Sequence, residues 1–173
     1  MGNTPTHGEQ VWKAARRGDA ESIRSFAKQH PAAINEVVAF VHGTRKTTAL
    51  MEAALSGSRE TVEALCLLGA HVNARQETTG DTALHLVARI RGALQIANLL
   101  LDLGADPSVT NHSGKNPIEV ARSRSSTAMV QLFERKLAVF QDDVDIYEKG
   151  TLANLAGALI GDSAAQSVTK KLG

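Results

Sequence analysis

The sequence predicts an all-α fold, a solenoid of stacked two-helix units, and three observations lead there. Thr48, Thr82 and Asn116 head similar segments and stand 34 residues apart (82 − 48 and 116 − 82), a period at which one supersecondary unit repeats and packs on the next. Hydrophobic residues make up 43% of the 173-residue chain and aromatic ones only 3%, so the core has to be built from Ala and Leu in close helix contacts. Each segment also carries apolar residues at helical spacing, interrupted by polar turns.

The units follow in order. The first, residues 9–43, opens VWKAARRGDAESIRSFAKQHP, with Asp19 where the N-cap of a second helix belongs. Between this unit and the next the spacing widens to 39, from Ala14 to Ala53 (53 − 14). The extra residues fall in INEVVAFVHGTRK, where Val37, Val38, Phe40 and Val41 before His42-Gly43 predict a lengthened finger with strand character. In the second unit, residues 44–77, Ser58 is the expected N-cap and Gly69 the left-handed terminator of the second helix. In the third, residues 78–110, Thr82 to Ala88 form a short first helix. Ile96, Leu99, Leu100 and Leu103 line a second that ends at Gly104, and Gly92 reads as a one-residue insertion. The fourth, residues 111–137, is KNPIEVARSRSSTAMVQLFERKL from Lys115.

These units resemble the ankyrin repeat, whose pattern runs G-x-T-P-L-H-x-A-A-x-x-G, then an aliphatic helix, then L-L-x-x-G-A-x-x-N. Gly80, Thr82, Ala83, Leu84, His85 and Ala88 match its first half; Leu99, Leu100, Gly104 and Ala105 match its second. Ala14, Ala15 and Gly18 fit an amino-terminal capping repeat, so the likeness covers residues 9–137. Lys46 departs from the turn glycine and Met51 from the histidine of the second unit. The resemblance implies an ankyrin-repeat solenoid with finger loops, acting as a non-enzymatic protein–protein interaction module, an adaptor or regulatory scaffold. It also implies that His85 bonds the turn backbone rather than a metal or substrate.

Other function classes find less support. A formal net charge of +1 argues against a highly basic nucleic-acid binder, and aromatics for base stacking are scarce, so no specific nucleic-acid partner is expected. The six histidines are scattered without ligand spacing, and no G-x-S-x-G elbow, phosphate-binding loop or dinucleotide fingerprint occurs. No cofactor, metal site or catalytic residue is assigned, and an enzyme of unrecognised class is the minor alternative. Cys66, the lone cysteine, is expected on the buried side of its helix as a small hydrophobe. Asn111-His112-Ser113 matches a glycosylation triplet but reads as finger. With no signal peptide and no apolar run near the roughly 20 residues of a membrane span, a cytoplasmic, monomeric protein is expected.

The resemblance also points to a surface, since ankyrin proteins generally bind partners through finger tips and the exposed ends of the first helices. On this chain those positions include Arg16, Arg17, Arg89, Ile90 and Arg124 on helices, and Arg45, Asp81, His112 and Lys115 on fingers. Arginine and lysine outnumber acid six to one among them, which suits an acidic or phosphorylated peptide. Ordinary solubilising charge is the alternative.

Both ends lie outside the repeats. Met1-Gly2-Asn3-Thr4-Pro5-Thr6 fits the N-myristoylation pattern, so residues 1–8 are expected to be a flexible leader, with lipid on Gly2 as a weak, reversible membrane tether. An N-myristoylated peripheral membrane adaptor is the alternative function. Residues 138–173 hold an acidic stretch (Asp142, Asp143, Asp145, Glu148) followed by an apolar stripe (Leu152, Leu155, Leu159, Ile160). They are expected to be a helical extension that caps the last repeat or competes for the basic groove.

Overall fold

Small side chains decide how close the first helices come. In the computed structural model, which describes residues 6–36, 38–39 and 46–138, the first helices are α1 (His7–Arg17), α3 (Ala49–Ser56), α5 (Ala83–Ala88) and α7 (Pro117–Ser123). Each packs on the next, and Ala15, Ala53, Ala54, Ala88 and Ala121 are buried along this row. The second helices are α2 (Ala20–Gln29), α4 (Arg59–Leu67), α6 (Leu94–Asp102) and the helical residues 127–138, labelled α8. Of these, α2 packs on α4 and α4 on α6. Ile23, Leu50, Leu65, Leu84, Leu100 and Phe133 fill the layer between the rows, completely or almost completely out of water. Such residues contribute about 1.5–3 kcal/mol each relative to exposure.

Local signals set the helix ends. Asp19 accepts from the Ser22 N–H at 3.0 Å, Thr48 from Met51 at 3.3 Å and Asn116 from Glu119 at 2.9 Å. The Glu119 carboxylate returns to the Asn116 N–H at 2.8 Å, closing a capping box. Ser58 occupies the expected N-cap position, but its hydroxyl meets Thr61 Oγ1 at 2.8 Å and makes no cap bond to backbone. Gly69 and Gly104 have φ of +89° and +91°, the left-handed termination expected of them. The extra residue at Gly92 lies wholly in the turn. Thr48 precedes the start of α4 by 11 positions (59 − 48) and Thr82 the start of α6 by 12 (94 − 82), whereas each second helix starts 10 residues before its glycine (69 − 59 and 104 − 94).

The long finger has the predicted strand character in part: β1 (Val38–Ala39) pairs antiparallel with β2 (Lys46–Thr47), Val38 opposite Thr47. Successive units are further joined by asparagines. Asn35 donates to Gly69 O at 2.9 Å and accepts from His71 N at 2.8 Å; Asn73 repeats this with Gly104 O at 3.1 Å and Asp106 N at 2.8 Å.

Cys66 is only half-buried, because it sits at the flank of α4 between buried Leu65 and largely exposed Leu67. Burial nonetheless pushes its thiol up to about 11. Contacts divide the chain into two units, Met1–Glu134 and Arg135–Gly173. The first contains α1 to α7; of the second, residues 135–138 are described and are helical. The leader residues 1–5 with Gly2, Arg45, and residues 139–173 lie outside the described residues.

Candidate protein-binding face

The last turn of α1 places Arg16 and Arg17 in water. The Arg16 guanidinium lies 5.5 Å from the centre of the Trp12 ring, within range of a cation–π contact. Trp12 itself is buried and donates its indole N–H to Thr47 Oγ1 at 3.0 Å. Thr47, itself buried, is therefore an interior link between the first unit and the second finger.

Asp81 requires a larger correction. It was expected as the acidic member of an exposed face, yet it is fully buried. Its Oδ2 accepts from Arg89 Nη1 at 2.7 Å and its Oδ1 from Asn111 Nδ2 at 2.8 Å, so neither oxygen is left bare in the interior. Burial by itself would raise this carboxyl; the hydrogen bonds from Asn111, Arg89 and Thr79 and the charge of Arg89 outweigh it and hold the group below the ordinary carboxylate value. Arg89 follows the end of α5 and Asp81 precedes its N-cap, so each charge also stands at the helix end that favours it. Arg89 remains partly exposed, but its charge is already matched. Ile90 beside it is half-buried.

His85 is buried between the third and fourth units. The Thr82 N–H approaches its Nδ1 at 3.2 Å and Lys115 O lies 2.9 Å from its Nε2. Together these require the neutral tautomer with hydrogen on Nε2. Burial, more than any other influence, lowers its pKa below 6.5, against the Lys115 carbonyl and the Asp81 charge. Both ring nitrogens are thereby used in holding turns together.

His112, Lys115 and Arg124 are exposed. The His112 N–H donates to Thr79 O at 2.8 Å, which ties adjacent fingers edge to edge. Among the described residues no carboxylate forms an ion pair with Arg16, Arg17, Lys115 or Arg124. Four of the six predicted cations therefore stay available, Arg89 is internally paired, and Arg45 lies outside the described residues. The arrangement can offer forked and point-charge donors to an anion. Among the described residues no group of three or more His, Cys, Asp or Glu could hold a metal ion, and no helix is long and apolar enough to cross a membrane.

The Asp81–Arg89–Asn111 cluster was missed in the sequence. A signal did exist: an acid immediately before a helix N-cap and an arginine at its C-cap, spanning a helix of only six residues.

Comparison with known proteins finds the repeat in the middle of the chain. A model of the ankyrin repeat matches residues 45–77, and a model of multiple ankyrin repeats matches residues 68–121. Human protein phosphatase 1 regulatory subunit 27 is 36% identical over 105 residues, which cover 61% of this chain and 64% of that protein. The rice protein named "Probable E3 ubiquitin-protein ligase XBOS34" is 28% identical over 141 residues, 81% of this chain but 26% of its own length. Regulatory protein NPR6 of Arabidopsis thaliana is 40% identical over 82 residues, 47% of this chain and 17% of that protein. The chain thus spans less than two thirds of the length of each of these relatives.

Proposed function

Because this chain belongs to the ankyrin-repeat proteins, whose repeats bind other proteins, we propose that it is a non-enzymatic adaptor or regulatory module that holds an acidic segment of a partner. The observation that carries this reading is the set of four exposed cations, Arg16, Arg17, Lys115 and Arg124, that form no ion pair among the described residues, in a chain of net charge +1. Arginine forks bind carboxylate or phosphate with two parallel hydrogen bonds, and unmatched charge on a face speeds encounter with an anionic partner. The names of the human and Arabidopsis relatives, a regulatory subunit and a regulatory protein, favour a role in controlling another protein's activity.

The test is charge reversal of Arg16, Arg17 and Arg124 together. Arg89 is left intact because its loss would strand a buried carboxylate. Affinity for partners captured by the wild-type chain should fall at least tenfold with the melting temperature preserved; unchanged capture overturns the basic-face reading.

A second reading, a lipid-tethered adaptor, is favoured by the Met-Gly-x-x-x-Thr start alone. Intact mass after co-expression with a myristoyl transferase tests it, and an unmodified chain rules it out. One such acyl chain supports only reversible membrane contact.

A further inference from the structure

The turn between α7 and α8 carries chemistry that the binding face leaves unused. Arg122-Ser123-Arg124-Ser125-Ser126-Thr127 sets guanidinium groups five and three residues ahead of the Thr127 hydroxyl, and no acid occurs between Glu119 and Glu134. We propose that Thr127 is a phosphorylation site, modified by a protein kinase whose substrate groove is lined with carboxylates. Such a groove selects arginine at fixed offsets from the acceptor through forked bonds and rejects acids placed there by repulsion.

The fold keeps the segment presentable. Arg122, Arg124, Ser125 and Thr127 are all exposed, whereas Ser126 is half-buried at the position before α8. Arg124 has no carboxylate partner among the described residues, and Arg122 holds only the exposed Glu134, a pair that water and salt readily exchange. Ser125 takes φ of +56° nine residues after its helix cap Asn116, where the second unit has Gly57 at +75° nine residues after Thr48. A left-handed serine makes this turn easier to open than the glycine-built one, and a kinase needs its substrate extended. Thr127 lines a surface cleft of about 400 Å³ whose walls also include Arg122, its partner Glu134, Val130 and Gln131, room enough for a phosphate.

In the transfer, Oγ1 of Thr127 attacks the γ-phosphorus of a nucleoside triphosphate. The new O–P bond forms as the β–γ bridge breaks, the hydroxyl proton passes to the kinase's carboxylate base and the nucleoside diphosphate leaves. The product phosphate, about −1.5 to −2 in charge, enters the cleft that Arg122 lines, three residues along the chain from Arg124. Because Arg124 belongs to the proposed binding face, modification should weaken an acidic partner; that consequence rests on the reading above, while the modification itself does not.

The experiment incubates the full chain with magnesium, ATP and a purified kinase of this arginine-selecting class, and maps phosphate by peptide mass spectrometry. One phosphate per chain at Thr127 is expected, absent from Thr127→Ala and formed at least tenfold more slowly in Arg124→Ala, with both variants melting like the wild type. Phosphate on Ser125 or Ser126 instead, a wild-type rate in Arg124→Ala, or modification of heat-unfolded chain only would each overturn the assignment. A Thr127-phosphorylated chain that binds the captured partner unchanged overturns the regulatory consequence and leaves the site standing.

Discussion

Arg89 Nη1 lies 2.7 Å from Asp81 Oδ2, and this contact joins the finger that precedes α5 to the residue that follows it. Asn111, from the finger of the next unit, completes the carboxylate's shell at 2.8 Å. One buried acid therefore holds together two fingers and a helix end. Such a cluster is demanding, because an interior charge that loses one donor retains the whole cost of its desolvation.

Removal of Arg89 should show this cost. Arg89→Ala is expected to destabilise the fold by about 2 kcal/mol, since it strands Asp81. Arg124→Ala, which removes an exposed charge with no ion pair among the described residues, should change stability by less than about 0.5 kcal/mol. Denaturant unfolding midpoints of the two variants check the contrast, and equal shifts would refute the pairing's role. Acid follows the same logic. With its folded pKa below the ordinary 3.8, Asp81 contributes stability that is present above that value and lost as pH falls through the folded one.

His85 predicts a second, milder acid sensitivity. Its folded pKa lies below 6.5, so the unfolded chain takes up the proton first and stability declines as pH drops from 6.5 toward the folded value. Thermal melts between about pH 7.5 and pH 5 should show a falling midpoint whose slope is reduced in His85→Asn. A slope identical in the variant would show that another group is responsible.

Two glycines with the same backbone angle should respond differently to alanine. Gly57 (φ +75°) faces open space, so Gly57→Ala meets only the left-handed backbone penalty, about 1–2 kcal/mol. At Gly80 (φ +71°) a Cβ would also come within 2.8 Å of the His112 backbone nitrogen and 2.6 Å of its ring. Gly80→Ala should therefore be the more damaging, because the two fingers must part. Ser125→Gly should have the opposite sign and stabilise by about 0.5–1 kcal/mol, through relief of the strained serine. Calorimetric melts rank all three.

Cys66 should be a slow nucleophile. A thiol pushed up to about 11 is almost wholly protonated near neutrality, and the thiolate is the reactive form. Alkylation by iodoacetamide should run roughly a hundredfold slower than that of an unfolded control. Equal rates in folded and unfolded chain would contradict the half-buried placement.

Much of the architecture was legible in the chain because its determinants are local. The caps at Asp19 and Asn116 and the terminators Gly69 and Gly104 each act within a few residues of themselves, and the 34-residue period repeats the same local pattern along the chain. The candidate face was legible only in part. Arg16, Arg17 and Arg124 do reach water, but the burial of Asp81 had only the weak signal of an arginine at the far end of a six-residue helix, and that of Thr47 beside Trp12 had none.

By itself, then, the sequence determined the repeat, the order of its helices and the sites where each begins and ends, since propensity, capping and periodicity are properties of neighbouring residues. Only the tertiary structure decided which charges stay free. Asp81 meets Arg89 eight residues on and Asn111 thirty residues on; desolvation and Coulomb energy follow distance through space, and folding is what sets that distance.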